Sequence, residues 1–263
     1  MSIAAADPTC GAGLQADLLA IARLGCHPVT VLTALTMQDT RGVEAVWPVD
    51  PERVICQARC VAADMPIAAF KIGLLGSAAI AAQVAALLAD YPDVPLVLDP
   101  VLASGRGDRL VDADLLHAIG NSLVPLADVV TPNIPELERL TAGRADASAM
   151  HAERAAQLID RGADYVLVTG THDATPEVVN TLYGRACLPE AHAWPRLPGS
   201  YHGSGCTLAA ALAAFLARGA LLPEASRRAQ QYTWQTLHNA YRAGRGQFIP
   251  DRLYGLPDID GHD

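Results

Sequence analysis

Short apolar runs alternate with longer stretches of helical periodicity along most of the chain. The runs predict strands at 29–35, 67–75, 94–98, 128–131 and 165–169. Between them, amphipathic or alanine-rich stretches predict helices at about 12–24, 51–64, 77–90, 111–122, 134–141 and 148–161. This alternation is typical of a parallel sheet. The runs at 95–98 and 129–130 are nearly all apolar, as expected of strands that helices cover on both faces.

The last third of the chain departs from this pattern. Residues 177–188 predict an antiparallel strand or hairpin, and two helices at about 205–218 and 223–242 follow it. The chain has 263 residues, 51% of them hydrophobic, and its 18 prolines and 21 glycines are scattered rather than gathered in a linker. We therefore predict a single α/β domain over residues 1–263, with a short leading strand because only about five residues precede Asp7.

Charge and cysteine content narrow the classes of function. The net charge is -9, with acidic and basic residues intermingled, which argues against nucleic acid or an anionic membrane surface as the main partner. The N-terminus lacks a basic segment followed by a long apolar core, and polar residues interrupt the apolar stretch at 67–89. We therefore expect a soluble protein of the cytoplasm. The six cysteines include no Cys-x-x-Cys pair, which argues against a disulfide framework and a cysteine metal site.

The chemically most informative segment is Tyr201-His202-Gly203-Ser204-Gly205-Cys206-Thr207, which leads directly into an apolar helix. Gly205 and Cys206 are expected at the helix N-terminus, where unpaired amides and the helix dipole favour an anion. The glycines would let the backbone turn its amides toward a phosphate. A thiol there would ionise more easily than a free one and could serve as a base or nucleophile. The alternative is a buried cysteine in a glycine turn.

Other polar segments follow the predicted strands, at the edge of a parallel sheet where ligands bind. Asp17 lies on the inward stripe of the first helix, so its carboxylate needs a partner, either a polar ligand or protein donors. Gln38 follows a strand, and its amide could match the edge of a heterocycle or simply be solvated. These two residues are candidates for substrate binding.

Carboxylates also emerge at two neighbouring strand ends. Asp99 follows the apolar run 95–98, and the segment Asn133-x-x-Glu136 follows the run at 129–130. Mg²⁺ is commonly held by one or two carboxylates together with phosphate oxygens, so this pair predicts a magnesium site. The structural alternative is a helix cap in which Asn133 is the N-cap and Glu136 completes a capping box. The turn Thr169-Gly170-Thr171-His172 could approach nucleotide phosphates, although loop histidines such as His172 and His202 are usually ordinary polar surface.

Taken together, these segments resemble the hydroxymethylpyrimidine/phosphomethylpyrimidine kinase family of thiamine biosynthesis, a branch of the ribokinase-like superfamily. The resemblance runs in order over nearly the whole chain. It is carried by Asp7-Pro8-Thr9, Gly11-Ala12-Gly13-Leu14-Gln15-Ala16-Asp17, Thr33-Ala34-Leu35-Thr36-Met37-Gln38-Asp39-Thr40, Lys71-Ile72-Gly73-Leu74-Leu75-Gly76-Ser77, Leu98-Asp99-Pro100-Val101, Thr131-Pro132-Asn133-Ile134-Pro135-Glu136 and His202-Gly203-Ser204-Gly205-Cys206-Thr207-Leu208.

This resemblance implies a ribokinase-like three-layer αβα sandwich with a central, mostly parallel sheet. It also implies ATP-dependent phosphorylation of the hydroxymethyl group of 4-amino-5-hydroxymethyl-2-methylpyrimidine, and then of its monophosphate. The partners it implies are this small pyrimidine, ATP, Mg²⁺ and a second copy of the chain in a homodimer, while a role for K⁺ stays open.

The resemblance also implies a role for each candidate residue. Cys206 would accept the substrate proton, and the amides from Gly203 to Cys206 would stabilise charge on the transferred phosphoryl group. The residues implied in the pyrimidine pocket are Asp17, Gln38, Leu74, Val101 and Ala5. Those implied near ATP and its phosphates are Asn133, Thr169, Gly170, His172 and Ser204, and those implied at Mg²⁺ are Asp99 and Glu136.

Several positions depart from the family pattern. Ala5-Ala6 replaces Gly-Ser or Gly-Thr, which adds a Cβ near the substrate, and Cys10 replaces Gly or Ser in the following turn. Thr169 replaces a lysine, which removes a cation expected near the ATP phosphates, and Asn180 replaces a frequent aspartate.

Three other functions compete with the pyrimidine kinase. A pyridoxal or pyridoxine kinase would act on a hydroxymethyl heterocycle of similar size. A binding protein that has lost phosphoryl transfer is compatible with the missing lysine at position 169, although intact Asp99, Asn133, Glu136 and Cys206 argue against it. Cysteine-based acyl transfer would require a histidine close to Cys206, for which His202 is the nearest candidate in sequence.

Overall fold

The structure is a computed structural model, and it describes residues 1–104, 107–108, 110–142, 150–173, 175–185 and 187–256. The strands are β1 (Ser2–Ala4), β2 (Thr30–Leu32), β3 (Ala34–Asp39), β4 (Gly42–Pro48), β5 (Phe70–Ile72), β6 (Leu96–Leu98), β7 (Val129–Val130), β8 (Tyr165–Thr169), β9 (Glu177–Gly184) and β10 (Glu190–Pro195). The helices are α1 (Gly13–Arg23), α2 (Pro51–Asp64), α3 (Ala78–Leu88), α4 (Ala113–Ala118), α5 (Ile134–Thr141), α6 (His151–Asp160), α7 (Ser204–Ala217) and α8 (Leu222–His238).

Eight strands form one sheet in the order β10-β9-β8-β7-β6-β5-β1-β2. Strands β2, β1, β5, β6, β7 and β8 are parallel, whereas β9 and β10 add antiparallel to one edge. In the register, Ile3 lies between Val31 and Ile72, and all three side chains are fully buried. The predicted mostly parallel sheet is therefore confirmed.

Helices cover both faces of this sheet. One apolar cluster includes buried residues of α2 to α6, and a second cluster includes buried residues of α1, α7 and α8. Helix α7 is buried on all sides between Thr207 and Phe215, which requires the small alanines that fill this stretch. The result is a three-layer αβα sandwich. Within the described ranges, no helix is both long and apolar enough to cross a membrane.

The separate hairpin of β3 and β4 was not predicted. The apolar run predicted as one strand at 29–35 instead divides between β2 and β3, and β3 pairs only with β4. The hairpin is bonded to the chain just after β1. Ala6 N donates to Ala34 O at 2.9 Å, and Thr36 Oγ1 donates to Ala6 O at 2.9 Å. Gln38 therefore lies within a strand and not in the loop that the sequence predicted.

Other boundaries also differ from the prediction. The strand predicted at 67–75 has only three residues, Phe70–Ile72, and the helix predicted at 111–122 is α4 followed by a π-helical turn at Ile119–Leu123. The antiparallel strand within 177–188 is confirmed as β9, whereas β10 was missed. Of the helix predicted at 148–161, residues 148 and 149 lie outside the described residues. Helix α8 ends at His238, before the predicted boundary at 242.

Candidate active site

A cavity of about 520 Å³ lies at the carboxyl ends of the parallel strands. It extends from the β3–β4 hairpin, past the start of α7, to the antiparallel edge of the sheet. Most of the candidate residues line it: Ala5, Gln38, Leu74, Asp99, Val101, Asn133, Glu136, Thr169, His172, Gly203, Ser204, Gly205 and Cys206. Asp17 and Gly170 do not line it.

The turn that leads into α7 and the start of that helix line this cavity. Gly203 has a φ of 82°, which favours glycine, and a Cβ at this position would lie 2.0 Å from Gly11 O. Ser204 begins the helix without a side-chain cap, and the residues from Gly203 to Cys206 line the cavity. Uncapped amides at a helix N-terminus attract anions, so the geometry agrees with the predicted phosphate site.

The thiol of Cys206 does not ionise more easily than a free thiol, which corrects the prediction. Burial raises its pKa to about 12, with the charges of Asp99 and Asp17 acting in the same direction. Lys71 and the Gly13 N–H lower the pKa, but by less. The thiol is therefore protonated at neutral pH, because the desolvation of this site outweighs the effect of the helix terminus.

His202 is paired with Asp7 and not with Cys206, the partner that acyl transfer would require. Its Nε2 lies 2.7 Å from Asp7 Oδ2 in a buried pair, and Asp7 also accepts hydrogen bonds from Thr9 N, Thr9 Oγ1 and Ala12 N. Despite burial, the hydrogen bond from His202 holds the pKa of Asp7 below its usual value. The pair ties the N-terminal turn to the turn before α7, so acyl transfer loses its candidate base.

Asp17 holds a buried lysine rather than facing the cavity. Its Oδ2 lies 2.9 Å from Lys71 Nζ and accepts a hydrogen bond of 2.6 Å from Ser2 Oγ. Lys71 Nζ also lies 3.7 Å from Asp99 Oδ2. Burial lowers the pKa of Lys71, but the charges of Asp17 and Asp99 and the hydrogen bond to Asp17 raise it by more, so the ammonium stays charged. The protein-donor alternative for Asp17 is therefore the correct one.

Asp99 and Glu136 form the candidate metal site. Burial raises the pKa of both carboxyl groups, that of Glu136 to about 8, and the charge of Asp99 raises the pKa of Glu136 further. Asp99 Oδ2 has no hydrogen-bond partner, which leaves a lone pair for a cation. Two carboxylates of this kind fit Mg²⁺, which takes its remaining ligands from phosphate and water. Among the described residues, no group of three or more His, Cys, Asp or Glu side chains is arranged to hold a metal without such a ligand.

Glu136 also has the structural role that the sequence left open. Its Oε2 accepts a hydrogen bond of 2.9 Å from Asn133 N, and Asn133 Oδ1 accepts one of 2.9 Å from Glu136 N. These two bonds form the capping box at the start of α5. The cap fixes the orientation of Glu136, while one of its oxygens, Oε1, is held only by a 3.4 Å hydrogen bond from Leu102 N.

The far end of the cavity has an aromatic wall that sequence reasoning missed. Trp194 on β10 and Trp234 on α8 line the cavity, with stacked rings whose centroids lie 6.5 Å apart. The chain has only 3 tryptophans, but that two of them line one cavity is visible only in the structure. Thr169 and His172 line the same end.

Gly170 is a glycine for a structural reason. A Cβ at this position would lie 2.2 Å from Val179 O, and its N–H donates to Asn180 Oδ1 at 3.1 Å. The buried amide of Asn180, in turn, donates to Gln230 Oε1 at 3.2 Å. Gly170 and Asn180 thus hold β9 against the end of β8, and neither contact points to a phosphate.

The fold and the site together define a kinase that transfers a phosphoryl group from ATP to a small molecule. The family model described as phosphomethylpyrimidine kinase matches residues 7–251, and the chain belongs to that family. It is 38% identical over 250 residues to the hydroxymethylpyrimidine/phosphomethylpyrimidine kinase of Streptomyces coelicolor, covering 94% of this chain and 91% of the relative. It is 37% identical over 259 residues to the thiamine biosynthesis bifunctional protein ThiED of Geobacter sulfurreducens, covering 98% of this chain. The chain spans about half the length of that bifunctional protein, 53%.

Solved structures confirm the predicted ribokinase-like fold. The phosphomethylpyrimidine kinase of Clostridium difficile is 31% identical, with a TM-score of 0.78, over 90% of this chain and 97% of that one. An ADP complex of Bacillus subtilis pyridoxal kinase is 26% identical, with a TM-score of 0.87, over 95% of this chain and 96% of that one. The predictions of a kinase and of nucleotide use are thereby confirmed.

Proposed function

We propose that this chain uses ATP to phosphorylate the hydroxymethyl group of 4-amino-5-hydroxymethyl-2-methylpyrimidine and then phosphorylates the resulting monophosphate, in thiamine biosynthesis. One observation supports this most directly. A single cavity joins an end lined by Gln38 and Leu74 to the amides at the start of α7 and to the carboxylates of Asp99 and Glu136. We further propose that the enzyme acts as a homodimer in the cytoplasm.

The acceptor would bind at the hairpin end of the cavity. Gln38 presents a side-chain amide that can pair with the edge of an aminopyrimidine, and it is held in place by a 2.7 Å hydrogen bond to Thr36 Oγ1. Leu74, Val101 and Ala5 supply apolar contacts to the ring and its methyl group. This arrangement would direct the hydroxymethyl group toward Cys206.

The donor would bind at the other end. Trp194 and Trp234 offer flat surfaces for the purine, and Asn133, Thr169 and His172 lie between this wall and the start of α7. Mg²⁺, when bound, would neutralise and orient the phosphate oxygens, and Asp99 and Glu136 would hold it. Ser204 and Gly205 amides would then face the phosphoryl group that is transferred.

Transfer would depend on positioning and charge neutralisation, because the transition state of phosphoryl transfer is loose and its charge lies on the equatorial oxygens. The amides from Gly203 to Cys206 would stabilise that charge. Since the Cys206 thiol is protonated at neutral pH, it would first orient the hydroxymethyl oxygen by a hydrogen bond. The alcohol proton leaves late in a loose transition state and would pass to an oxygen of the transferred phosphoryl group, so a strong resting base is not required.

Pyridoxal kinase is the second candidate, because the Bacillus subtilis pyridoxal kinase has a higher TM-score, 0.87, than the phosphomethylpyrimidine kinase structure, 0.78. Pyridoxal also carries a hydroxymethyl group on a heterocycle of similar size. The two substrates differ at the ring edge that Gln38 would contact.

The test is to incubate the purified protein with Mg-ATP and either the hydroxymethylpyrimidine or pyridoxal, and to follow ADP release and product mass. An Asp99→Asn preparation serves as the control for contaminating kinases. Pyrimidine mono- and diphosphate are the expected products. Phosphorylated pyridoxal alone would favour the second candidate. If neither compound leads to ADP release but both raise the melting temperature of the protein, the result would instead indicate a binding protein.

A further inference from the structure

Arg252 is the largest fully buried side chain among the described residues, and it is 2% exposed. It lies just beyond residue 251, where the match to the family model ends. No periodicity or motif in the sequence marks it. Burying a guanidinium is costly, and most buried arginines are paired with carboxylates.

The acceptors of this guanidinium are all neutral. Its Nε donates to Thr207 Oγ1 at 3.0 Å, Nη1 donates to Cys10 O at 3.2 Å, and Nη2 donates to Gly11 O at 2.5 Å. Longer bonds of 3.5 Å reach Gly203 O and Pro250 O. Arg252 takes part in none of the ion pairs formed among the described residues. Its five donors therefore serve backbone and hydroxyl oxygens.

These oxygens belong to the two turns that meet at the site. The first turn is residues 10–13, and its last two residues, Ala12 and Gly13, line the cavity. The second is residues 203–206, which are Gly203 and the first three residues of α7, and they also line the cavity. The turns touch closely, since a Cβ on Gly203 would lie 2.0 Å from Gly11 O. Thr207 Oγ1 also donates to Gly203 O at 2.8 Å, so Arg252 holds the second turn through Thr207.

We propose that Arg252 is a positioning residue for phosphoryl transfer, which clamps the 10–13 turn and the 203–206 turn at one separation. Its planar fork bonds both turns at once, which a single ammonium cannot do. The first turn borders the acceptor end of the cavity and the second presents the amides to the transferred phosphoryl group. Loss of the fork would therefore misalign acceptor and phosphoryl group. The identity of the acceptor rests on the proposed function, but the clamp does not.

The alternative is a structural anchor for the last described segment, which would affect stability alone. Arg252→Gln and Arg252→Lys distinguish the two, with Arg154→Gln as the matched control. Arg154 is also buried, at 5% exposure, and it donates to Thr141 Oγ1 at 2.9 Å, which belongs to α5 and to neither of the two turns. Melting temperature, kcat and KM are measured for each folded variant.

We expect Arg252→Gln to lower kcat about ten- to a hundredfold, the loss that a displacement of about 1 Å produces at a reacting centre, with KM for the acceptor nearly unchanged. Arg252→Lys should also lose activity, because it keeps the charge but not the fork. Arg154→Gln should lose melting temperature while keeping kcat. A folded Arg252→Gln or Arg252→Lys variant with the kcat of the unchanged protein would overturn the proposal.

A binding measurement needs no acceptor. Calorimetry with AMP-PCP and with ADP compares nucleotides with and without a γ-phosphoryl group. We expect Arg252→Lys to weaken AMP-PCP binding several-fold and to leave ADP binding unchanged, because in the proposed arrangement only the γ-phosphoryl group would face the 203–206 turn. An unchanged ratio of the two affinities would count against the clamp. Failure of the unsubstituted protein to phosphorylate either heterocycle would count against the proposed function only.

Discussion

Replacing Lys71 with methionine isolates the energetic role of the buried ammonium. Lys71 Nζ lies 2.9 Å from Asp17 Oδ2 and 3.7 Å from Asp99 Oδ2, and the lysine side chain is 1% exposed. Methionine has a similar length and retains most of the apolar packing of the lysine stem. The substitution therefore removes the charge and leaves two buried carboxylates without their cation.

The cost follows from what remains at the site. Asp17 keeps one hydrogen bond, from Ser2 Oγ, while its Oδ1 and Asp99 Oδ2 have no hydrogen-bond partner. Removing one partner of a buried ion pair costs about 3–5 kcal/mol, because the other charge stays desolvated. The double variant Lys71→Met/Asp17→Asn removes both charges of the closest pair. We expect it to recover much of the lost free energy of unfolding, since replacing both partners is often nearly neutral.

Urea unfolding measures these differences from the transition midpoints. The control is Arg59→Met, which breaks the exposed pair of Arg59 Nη2 and Asp90 Oδ2 at 3.0 Å and should cost below about 1 kcal/mol. If Lys71→Met gives no soluble protein and the double variant does, this result would also support the reasoning, because removing the second charge has restored folding. A loss below about 1 kcal/mol for Lys71→Met, or a double variant as unstable as the single one, would refute the reasoning.

Three further predictions concern the site. Iodoacetamide near neutral pH should alkylate exposed cysteines such as Cys10 and Cys56 before Cys206, because burial raises the pKa of Cys206 to about 12. Peptide mass spectrometry follows the order of labelling, and early labelling of Cys206 would contradict this prediction. The pKa of Glu136 is raised from 4.5 to about 8, so the folded protein binds more protons than the unfolded chain between these values, and its stability should fall as pH rises through this window. Urea midpoints at about pH 5 and about pH 8 should show a shallower fall for Glu136→Gln, and equal slopes would argue against the assigned pKa. Gly203→Ala should lower both melting temperature and kcat, because a Cβ would meet Gly11 O at 2.0 Å with φ at 82°, and full activity would mean that the turn can move apart.

The sequence placed candidate residues in the cavity where its signal is local. Asp99, Glu136 and the turn from Gly203 to Cys206 each follow a buried strand or begin a helix, and parallel strands bring their carboxyl ends to one edge. A residue's position along the chain therefore determined its place in the cavity. The capping box of Asn133 and Glu136 was readable for the same reason, since its members are three residues apart.

Local patterns failed where the environment is made by distant parts of the chain. The protonation of Cys206 depends on the depth of the site and on Asp99 and Lys71, which come from other strands. Asp17 was correctly predicted to be inward, but the sequence did not distinguish a ligand from the ammonium of Lys71 as its partner. The β3–β4 hairpin was missed because its outward side chains, including Leu35 and Trp47, are apolar and give no clear alternation.

The sequence by itself therefore determined the main alternation of strands and helices and the sheet edge that carries the chemistry, and it placed most of its candidate residues in the cavity. Those features follow from hydrophobic periodicity and from short motifs, which act over one or two turns of chain. Only the tertiary structure decided which charges meet. Lys71 lies between Asp17 and Asp99, and Arg252 joins two turns that are more than 190 residues apart, Gly11 and Gly203. Burial and pairing of charge depend on the packed interior, which no local pattern specifies.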